Sequence, residues 1–265
     1  MQEQSSWLSG AKRIVVKIGS NSVTGANEGK IDNLVDALAA AMDKGTQVVL
    51  VSSGAIATGM PLFDFDKKPT DLDTFQALAA VGQFRLVSKY QKSLERFGII
   101  AGQVLLTLPD IDNQESRDNA RKALERLFAL KALPIVNEND TVATTEIRFG
   151  DNDHLAAMVS TLIGADALVL LSDVDGIYDI PPTNPEAKLI SHVPFDMDMG
   201  NLEIGGTNTG VGTGGAVTKV AAARECTEAG IAVIVTNAEN VGLVLSGTNS
   251  GTYFEPRPQN PKTQG

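Results

Sequence analysis

The sequence is poor in the residues from which disulfide-linked and zinc-bound folds are built. Its 265 residues include one cysteine, Cys226, and two histidines that lie far apart. A single cysteine cannot form an intrachain disulfide, and the scarcity of both residue types argues against a zinc site. The fold is therefore expected to depend on a hydrophobic core, and the lone thiol suits a reducing, cytoplasmic setting.

Positive charge is also scarce, and long apolar runs are missing. The chain has 22 Lys and Arg against 32 Asp and Glu, which gives a net charge of −10. Nucleic acids and anionic membranes are bound by an excess of basic residues, so we expect neither as a partner. We also expect no secretion signal and no membrane anchor, because no segment has the necessary apolar length. Any anion-binding site must be local.

The chain does contain a regular alternation of strand and helix patterns. Continuous apolar runs typical of strands buried on both faces predict strands at 13–17, 47–51, 99–106, 133–136, 167–171 and 231–236. Helical periodicity predicts helices at 32–44, 75–97, 118–130, 155–163 and about 218–229. This order predicts one α/β domain over residues 12–255, built around a mainly parallel sheet with helices on both faces. Residues 1–11 and 256–265 are expected to be loose.

The densest polar groups directly follow the predicted strand at 133–136. Asn137-Glu138-Asn139-Asp140 comes first, and Asp151-Asn152-Asp153 opens the next helix. Ligands of parallel sheets bind beyond the carboxyl ends of strands, beside helix N-termini whose first N–H groups lack partners. We interpret the two clusters as one site. An Asx-rich turn with a helix cap is the alternative, but capping accounts for only one of these residues.

Three segments have features of anion binding. Lys17 ends a strand just before Gly19, and Lys219 follows the glycine-rich segment 205–215 at the start of a helix. An ammonium group beside a flexible glycine turn suits a phosphate, although a strand-end lysine can also simply reach solvent and a glycine run can be a linker. Ser53 precedes a glycine turn and a small-residue helix, which fits either an anion site or close helix packing.

Two lysines with carboxylates between them suit phosphoryl transfer. Cations stabilise the migrating group, while other residues hold donor and acceptor in line. A site rich in aspartates repels an anion unless that anion carries an ammonium group, so an amino-acid acceptor fits. We expect Asn137 and Asn152 to bind its α-carboxylate, and one aspartate to hold the two lysines.

Seven motifs, in this order, resemble those of the amino acid kinase family, in particular its glutamate-phosphorylating branch: VVKIGSNSV, VSSGAIATG, ALAAVGQ, IVNENDTVAT, GDNDHLAA, LSDVDGIY and GTGGAVTK. The resemblance covers about residues 13–255. It implies a three-layer αβα sandwich and transfer of the ATP γ-phosphate to the side-chain carboxylate of L-glutamate, with Mg²⁺, for proline synthesis. It also implies a homo-oligomer, a dimer or tetramer, inhibited by proline. Many members carry a further C-terminal RNA-modification-type (PUA) domain, which we do not expect within these 265 residues.

The resemblance also assigns roles by motif position. Lys17 and Lys219 are implied to stabilise the migrating phosphoryl group, with Asp153 organising them. The implied glutamate-binding residues are Ser53, Asn137, Asp140, Asp151 and Asn152. The implied ATP-binding residues are Lys17, Gly19, Ser172, Asp173, Thr213, Gly214, Gly215, Ala216, Val217, Thr218 and Lys219. No protein side chain is assigned to a metal. The sequence departs from the family pattern at Asn21 and at Pro181.

Two alternatives remain at this stage. A sister kinase of the same family would act on N-acetylglutamate, aspartate, carbamate or UMP, but an acetylated amine or a nucleotide would not need so many carboxylates. A noncatalytic sensor of nucleotides or amino acids is the other alternative, and the presence of both lysines argues against it.

Overall fold

The computed structural model describes residues 7–8, 10–25, 29–63, 65, 69–142, 152–197 and 215–258. They form one sheet of eight strands in the order β3-β4-β2-β1-β5-β7-β8-β6. The strands are β1 (Arg13–Ile18), β2 (Gln47–Ser52), β3 (Ala101–Leu106), β4 (Leu133–Glu138), β5 (Ala167–Ser172), β6 (His192–Val193), β7 (Ala232–Asn237) and β8 (Thr252–Phe254). All pairings from β3 across to β7 are parallel, whereas β8 runs antiparallel to β7.

The described α-helices are α1 (Lys30–Asp43), α2 (Ala55–Gly59), α3 (Leu72–Leu94), α4 (Leu108–Asp112), α5 (Gln114–Ala129), α6 (Asn152–Ile163), α7 (Ala216–Glu228) and α8 (Val241–Leu245). One apolar layer joins one face of the sheet to α1, α3 and α8, and the other joins the opposite face to α5, α6 and α7. The expected three-layer αβα sandwich is therefore confirmed. None of the described helices is both long and apolar enough to cross a membrane.

The alternation of side chains along β1 decides which layer each residue faces. Ile14, Val16 and Ile18 pack in the layer of α1 and α3, and Val15 packs in the layer of α6 and α7. Successive side chains of a strand point to opposite faces, so Lys17 lies on the same face as Val15. Lys17, near the end of this central strand, therefore points toward α6 and α7.

The order of the strands reverses direction at β1. The chain passes from β1 to β2 on one side and later returns to β5 on the other side. Such a switch point leaves a crevice beyond the carboxyl ends of the strands, which is where ligands of open α/β sheets bind. The described site residues expected from the sequence lie at the ends of β1, β4 and β5, in the loops after β1, β2, β4 and β5, and at the starts of α6 and α7.

The predicted strands are confirmed to within two residues, whereas several helices begin earlier than predicted. α3 starts at Leu72 rather than at 75, because the Asp71 side chain accepts a hydrogen bond from the Thr74 N–H. α5 starts at Gln114 rather than at 118, because Asn113 accepts from the Ser116 N–H. Because of these capping residues, each helix begins about one turn earlier than the sequence pattern predicts. The sequence patterns did not predict α4, α8, β6 or β8.

α2 and α3 make a close contact at Gly82. A Cβ atom added at Gly82 would lie 1.8 Å from the Ala55 carbonyl oxygen, and one added at Gly59 would lie 2.2 Å from that of Leu78. α2 and α3 therefore touch backbone to backbone. This contact places the start of α2, directly after Ser53, against the middle of α3.

At the chain ends, Trp7 and Leu8 pack against the layer of α1 and α3, and the Trp7 ring lies 6.3 Å from that of Tyr253. Most of the segments expected to be loose, residues 1–6 and 9 and residues 259–265, lie outside the described residues.

Candidate active site

The two lysines singled out in the sequence meet at one carboxylate. Lys17 Nζ lies 2.7 Å from Asp153 Oδ1, and Lys219 Nζ lies 3.2 Å from Asp153 Oδ2. The Thr218 hydroxyl donates to the same Oδ2 at 2.8 Å. β1 supplies the first lysine, α6 the aspartate and α7 the second lysine. Asp153 is therefore the aspartate that holds both ammonium groups.

This bridge is buried and carries excess positive charge. Asp153 is 0% exposed, Lys17 3% and Lys219 6%. Burial by itself raises the pKa of Asp153, but the ammonium groups of Lys17 and Lys219 and the hydrogen bonds outweigh it and lower that pKa to about 2. One carboxylate cannot neutralise two ammonium groups, so a net charge of +1 remains in a place poor in water. Such a site favours an anion.

Two helix N-termini open at the bridge. Asp153 is in the first turn of α6, and Lys219 is in the first turn of α7. The N-cap of α7 is Gly215, which has no side chain to make a capping bond. The first N–H groups of a helix lack intrahelical partners and carry partial positive charge. They add to the attraction for a phosphate.

A chain of amide hydrogen bonds joins three of the residues expected to bind the acceptor. Asn152 Nδ2 donates to Ser53 Oγ and to Asn137 Oδ1, both at 2.8 Å. Asn137 Nδ2 donates in turn to Gln83 Oε1 at 2.7 Å. Both hydrogens of the Asn152 amide are used within the protein. The expectation that this amide binds the substrate α-carboxylate stays a prediction, and the Asn152 atom without a partner among the described residues is its accepting oxygen.

Asp140 follows β4 in the short turn Asp140–Val142. Burial, and then repulsion by the nearby Glu138, raises the pKa of Asp140 to about 7. A carboxyl group in this setting gains from a cation that shares its site. Asp151, the other carboxylate expected here, lies outside the described residues.

The residues expected to hold ATP follow β1 and β5 and open α7. Ser172 ends β5, beside β1 in the sheet, and its hydroxyl donates to Asp173 Oδ1 at 3.2 Å. A Cβ atom added at Gly19 would lie 4.0 Å from Lys17 Nζ, so the backbone passes close to that ammonium group. In the glycine-rich segment, Thr213 and Gly214 lie outside the described residues, whereas Gly215, Ala216, Val217, Thr218 and Lys219 form the start of α7.

One residue of the site, Gln83, was given no role from the sequence. Gln83 lies in α3 and is 7% exposed. A signal for it did exist, because Ala79, Gln83, Leu86 and Tyr90 follow the helical spacing of one buried stripe. A glutamine at such a position has to find a hydrogen-bond partner.

The αβα sandwich and its buried lysine pair indicate a phosphotransferase. Comparison with known families supports this class. The model of the Amino acid kinase family matches residues 12–237, and the chain belongs to this family. Among solved structures, carbamate kinase from Giardia lamblia bound to AMP-PNP has the same fold, with a TM-score of 0.63 and 14% identity over 94% of this chain and 100% of that one.

Within the family, the chain is similar to proteins named glutamate 5-kinase. The protein from Clavibacter sepedonicus is 58% identical over 250 residues, which cover 94% of this chain and 96% of the relative. That from Leifsonia xyli subsp. xyli is 57% identical, with 93% and 92% covered. That from Streptomyces avermitilis is 50% identical over 93% of this chain but only 67% of the relative. The resemblance inferred from the motifs is confirmed.

Proposed function

We propose that the protein transfers the γ-phosphate of ATP to the side-chain carboxylate of L-glutamate and forms L-glutamyl 5-phosphate, the first step of proline biosynthesis. The relatives named glutamate 5-kinase support this substrate, since they are up to 58% identical over nearly the whole chain. The observation that carries the chemistry is the buried Lys17–Asp153–Lys219 bridge with its net positive charge.

The bridge can stabilise the transition state without further rearrangement. During phosphoryl transfer, negative charge is spread over the equatorial oxygens of the migrating group. Asp153 holds two ammonium groups in place before the substrates arrive, so this charge meets fixed donors. The attacking atom is a carboxylate oxygen that is already ionised at neutral pH, so the reaction needs no general base. The new bond joins that oxygen to the γ-phosphorus, and ADP leaves.

The acceptor end of the site suits a free amino acid. Asp140 can attract the α-ammonium group, and the Asn152 side chain offers a buried oxygen that has no partner among the described residues. An N-acetylated acceptor carries no such charge, and carbamate or UMP has no α-ammonium group. These features favour L-glutamate over N-acetylglutamate, carbamate and UMP. They do not distinguish glutamate from aspartate. For that choice, the proposal rests on the relatives named glutamate 5-kinase.

Magnesium fits this site as a companion of the nucleotide. No group of three or more ligating side chains occurs within the part of the chain that the structure describes. The two oxygens of Asp153 are paired with the lysines. Mg²⁺ commonly binds phosphate oxygens and water with few protein ligands. When bound with ATP, it would neutralise charge on the β- and γ-phosphates.

We also propose a cytoplasmic homo-oligomer, a dimer or tetramer, that is inhibited by proline. The single buried Cys226 suits a reducing compartment. Exposed apolar side chains on and near α3, among them Phe84, suit a subunit interface. Proline carries an ammonium and a carboxylate group and can therefore compete for the acceptor end of the site.

The test is ATP turnover, measured by coupled ADP release, with a panel of acceptors. L-glutamate should support turnover, and hydroxylamine should trap the acyl phosphate as γ-glutamyl hydroxamate. Turnover with UMP or N-acetylglutamate and none with glutamate would reassign the substrate. Calorimetric ATP binding with no trapped product would instead support a noncatalytic sensor.

A further inference from the structure

Gln83 lies where the acceptor end of the site meets α3. Its neighbour Gly82 lies close to the Ala55 carbonyl, which places the helix beside the loop that carries Ser53. The Gln83 side chain is buried and accepts the 2.7 Å hydrogen bond from Asn137 Nδ2. Asn137 is itself 2% exposed. The helix position and the hydrogen bond together hold this side chain in a defined place.

The two hydrogen bonds that link Asn152, Asn137 and Gln83 run in the same direction. Asn152 donates to Asn137, and Asn137 donates to Gln83. Among the side chains of Asn152, Asn137 and Gln83, two buried atoms have no hydrogen-bond partner within the described residues, and they are Asn152 Oδ1 and Gln83 Nε2. A buried polar atom without a partner costs free energy, so an acceptor at Asn152 is suited to a ligand that donates.

The direction decides which atom Asn152 offers. If the chain ran the other way, Asn137 would donate to Asn152 Oδ1, and the free group of Asn152 would be its NH₂. The Asn152 NH₂ group and the substrate ammonium group are both donors, so they could not form a hydrogen bond with each other. With the Gln83 oxygen turned toward Asn137, as in the structure, the reverse order would bring Asn137 Oδ1 against another oxygen, so this orientation of Gln83 disfavours it.

We propose that Gln83 is a positioning residue of the acceptor site: its side-chain oxygen orients the amides of Asn137 and Asn152, and so presents Asn152 Oδ1 to the ammonium group of the amino-acid substrate. This inference rests on the proposed function, because it takes the substrate to be a free amino acid.

The test compares Gln83→Met, which keeps the size but removes the acceptor, with Gln83→Glu, which can only accept and so keeps the direction. Arg85→Met, at an exposed position of the same helix, is the control. Steady-state kinetics are measured on the full chain. Inhibition by glutarate, the same dicarboxylic acid without the ammonium group, is measured beside them.

We expect Gln83→Met to raise the KM for glutamate roughly ten- to a hundredfold, as the loss of a hydrogen bond to a charged group does, and to leave the KM for ATP within about twofold. Glutarate inhibition should change little, because glutarate makes no ammonium contact. Gln83→Glu should retain the preference for glutamate over glutarate. Arg85→Met should match the parent.

A parental KM for glutamate in Gln83→Met would overturn the inference. So would a parallel rise of the ATP, glutamate and glutarate constants, which indicates a structural role alone. If Gln83→Met does not fold, Gln83→Glu decides, since loss of its preference for glutamate over glutarate also overturns the inference. A parent chain that does not phosphorylate glutamate would instead refute the proposed function, and this inference with it.

Discussion

Lys219 reaches the candidate active site from the first turn of α7, and its ammonium group shares a carboxylate with Lys17. Lys219→Ala would leave Asp153 paired with Lys17 alone and remove the net positive charge of the bridge. We expect kcat to fall by roughly 10²–10³, as on loss of one preorganised charge-stabilising donor, with the KM for glutamate little changed. Coupled assays at saturating ATP measure both constants.

Lys44→Ala, at an exposed position after α1, is the matched control and should retain parental kinetics. If Lys219→Ala turned over as fast as this control, Lys219 would have no part in the chemistry. A rise in the KM for glutamate without a loss of kcat would place it in acceptor binding instead.

Asp140 should make acceptor binding depend on pH. Burial and the charge of Glu138 raise its pKa to about 7, so the carboxyl group is mostly neutral below that pH and mostly ionised above it. Only the ionised form attracts an ammonium group. We therefore expect kcat/KM for glutamate to fall as pH decreases through about 7, by up to about tenfold per pH unit, with the KM for ATP unaffected.

Asp140→Asn is the companion variant for this profile. It should give a high KM for glutamate at every pH and lose the step near neutrality. A step that persists in Asp140→Asn would assign the titration to another group. Equal increases in the ATP and glutamate constants would remove Asp140 from acceptor binding.

At the scale of single residues, the sequence patterns predicted which side chains gather, and only the family resemblance singled out Asp153 as the carboxylate that holds the two lysines. Lys17, Lys219 and the acidic clusters were found from their neighbours in sequence. The choice of Asp153 over Asp140 as the bridge depends on Lys17 facing α6, and strand parity relative to a helix layer is a tertiary property. The direction of the amide chain likewise depends on Gln83, a helix residue 54 positions from Asn137.

At the scale of elements, α2 and α3 touch backbone to backbone, and this contact should be sensitive to a single methyl group. In Gly82→Ala the new Cβ atom would lie 1.8 Å from the Ala55 carbonyl oxygen, so the helices must separate. We expect a loss of about 1–3 kcal/mol in the free energy of unfolding, the usual cost of overpacking. Denaturant titration measures it, and the KM for glutamate should rise because Ser53 is next to α2.

Gly242→Ala in α8 is the matched control. A Cβ atom there would meet nothing within 4 Å, and alanine favours a helix over glycine. This variant should be as stable as the parent or slightly more stable. If Gly82→Ala behaved in the same way, the contact between α2 and α3 would not limit the stability of the fold.

The elements themselves were largely predictable, because most are long and buried on a defined face. Strands such as β5 are continuous apolar runs and were located to within a residue. Helix starts were less predictable, since caps such as Asp71 and Asn113 act through one hydrogen bond that an acidic loop sequence does not reveal. β6 and β8 have two and three residues, too few to show a period.

Across the whole molecule, the site depends on the order of the strands. β1 lies between β2 and β5, so the loops that follow these strands converge with the starts of α6 and α7. Residues as distant as Lys17 and Lys219 meet only because the chain returns to β1 from its other side. An alternation of strands and helices predicts a parallel sheet, but it does not specify this order.

The exposed apolar side chains on and near α3 lead to a prediction about assembly. Phe84 is 74% exposed and Ile100 68%, with Val81 and Phe97 also exposed on or just after α3. Large exposed apolar side chains are typical of protein interfaces. We expect the parent chain to elute as a dimer or tetramer in size-exclusion chromatography with light scattering, and Phe84→Glu to shift it toward a smaller species, because a carboxylate would be buried unpaired. Leu130→Glu, at an exposed apolar position after α5, should leave the assembly unchanged. A monomeric parent, or a Phe84→Glu variant with parental mass, would exclude this surface as the contact between copies.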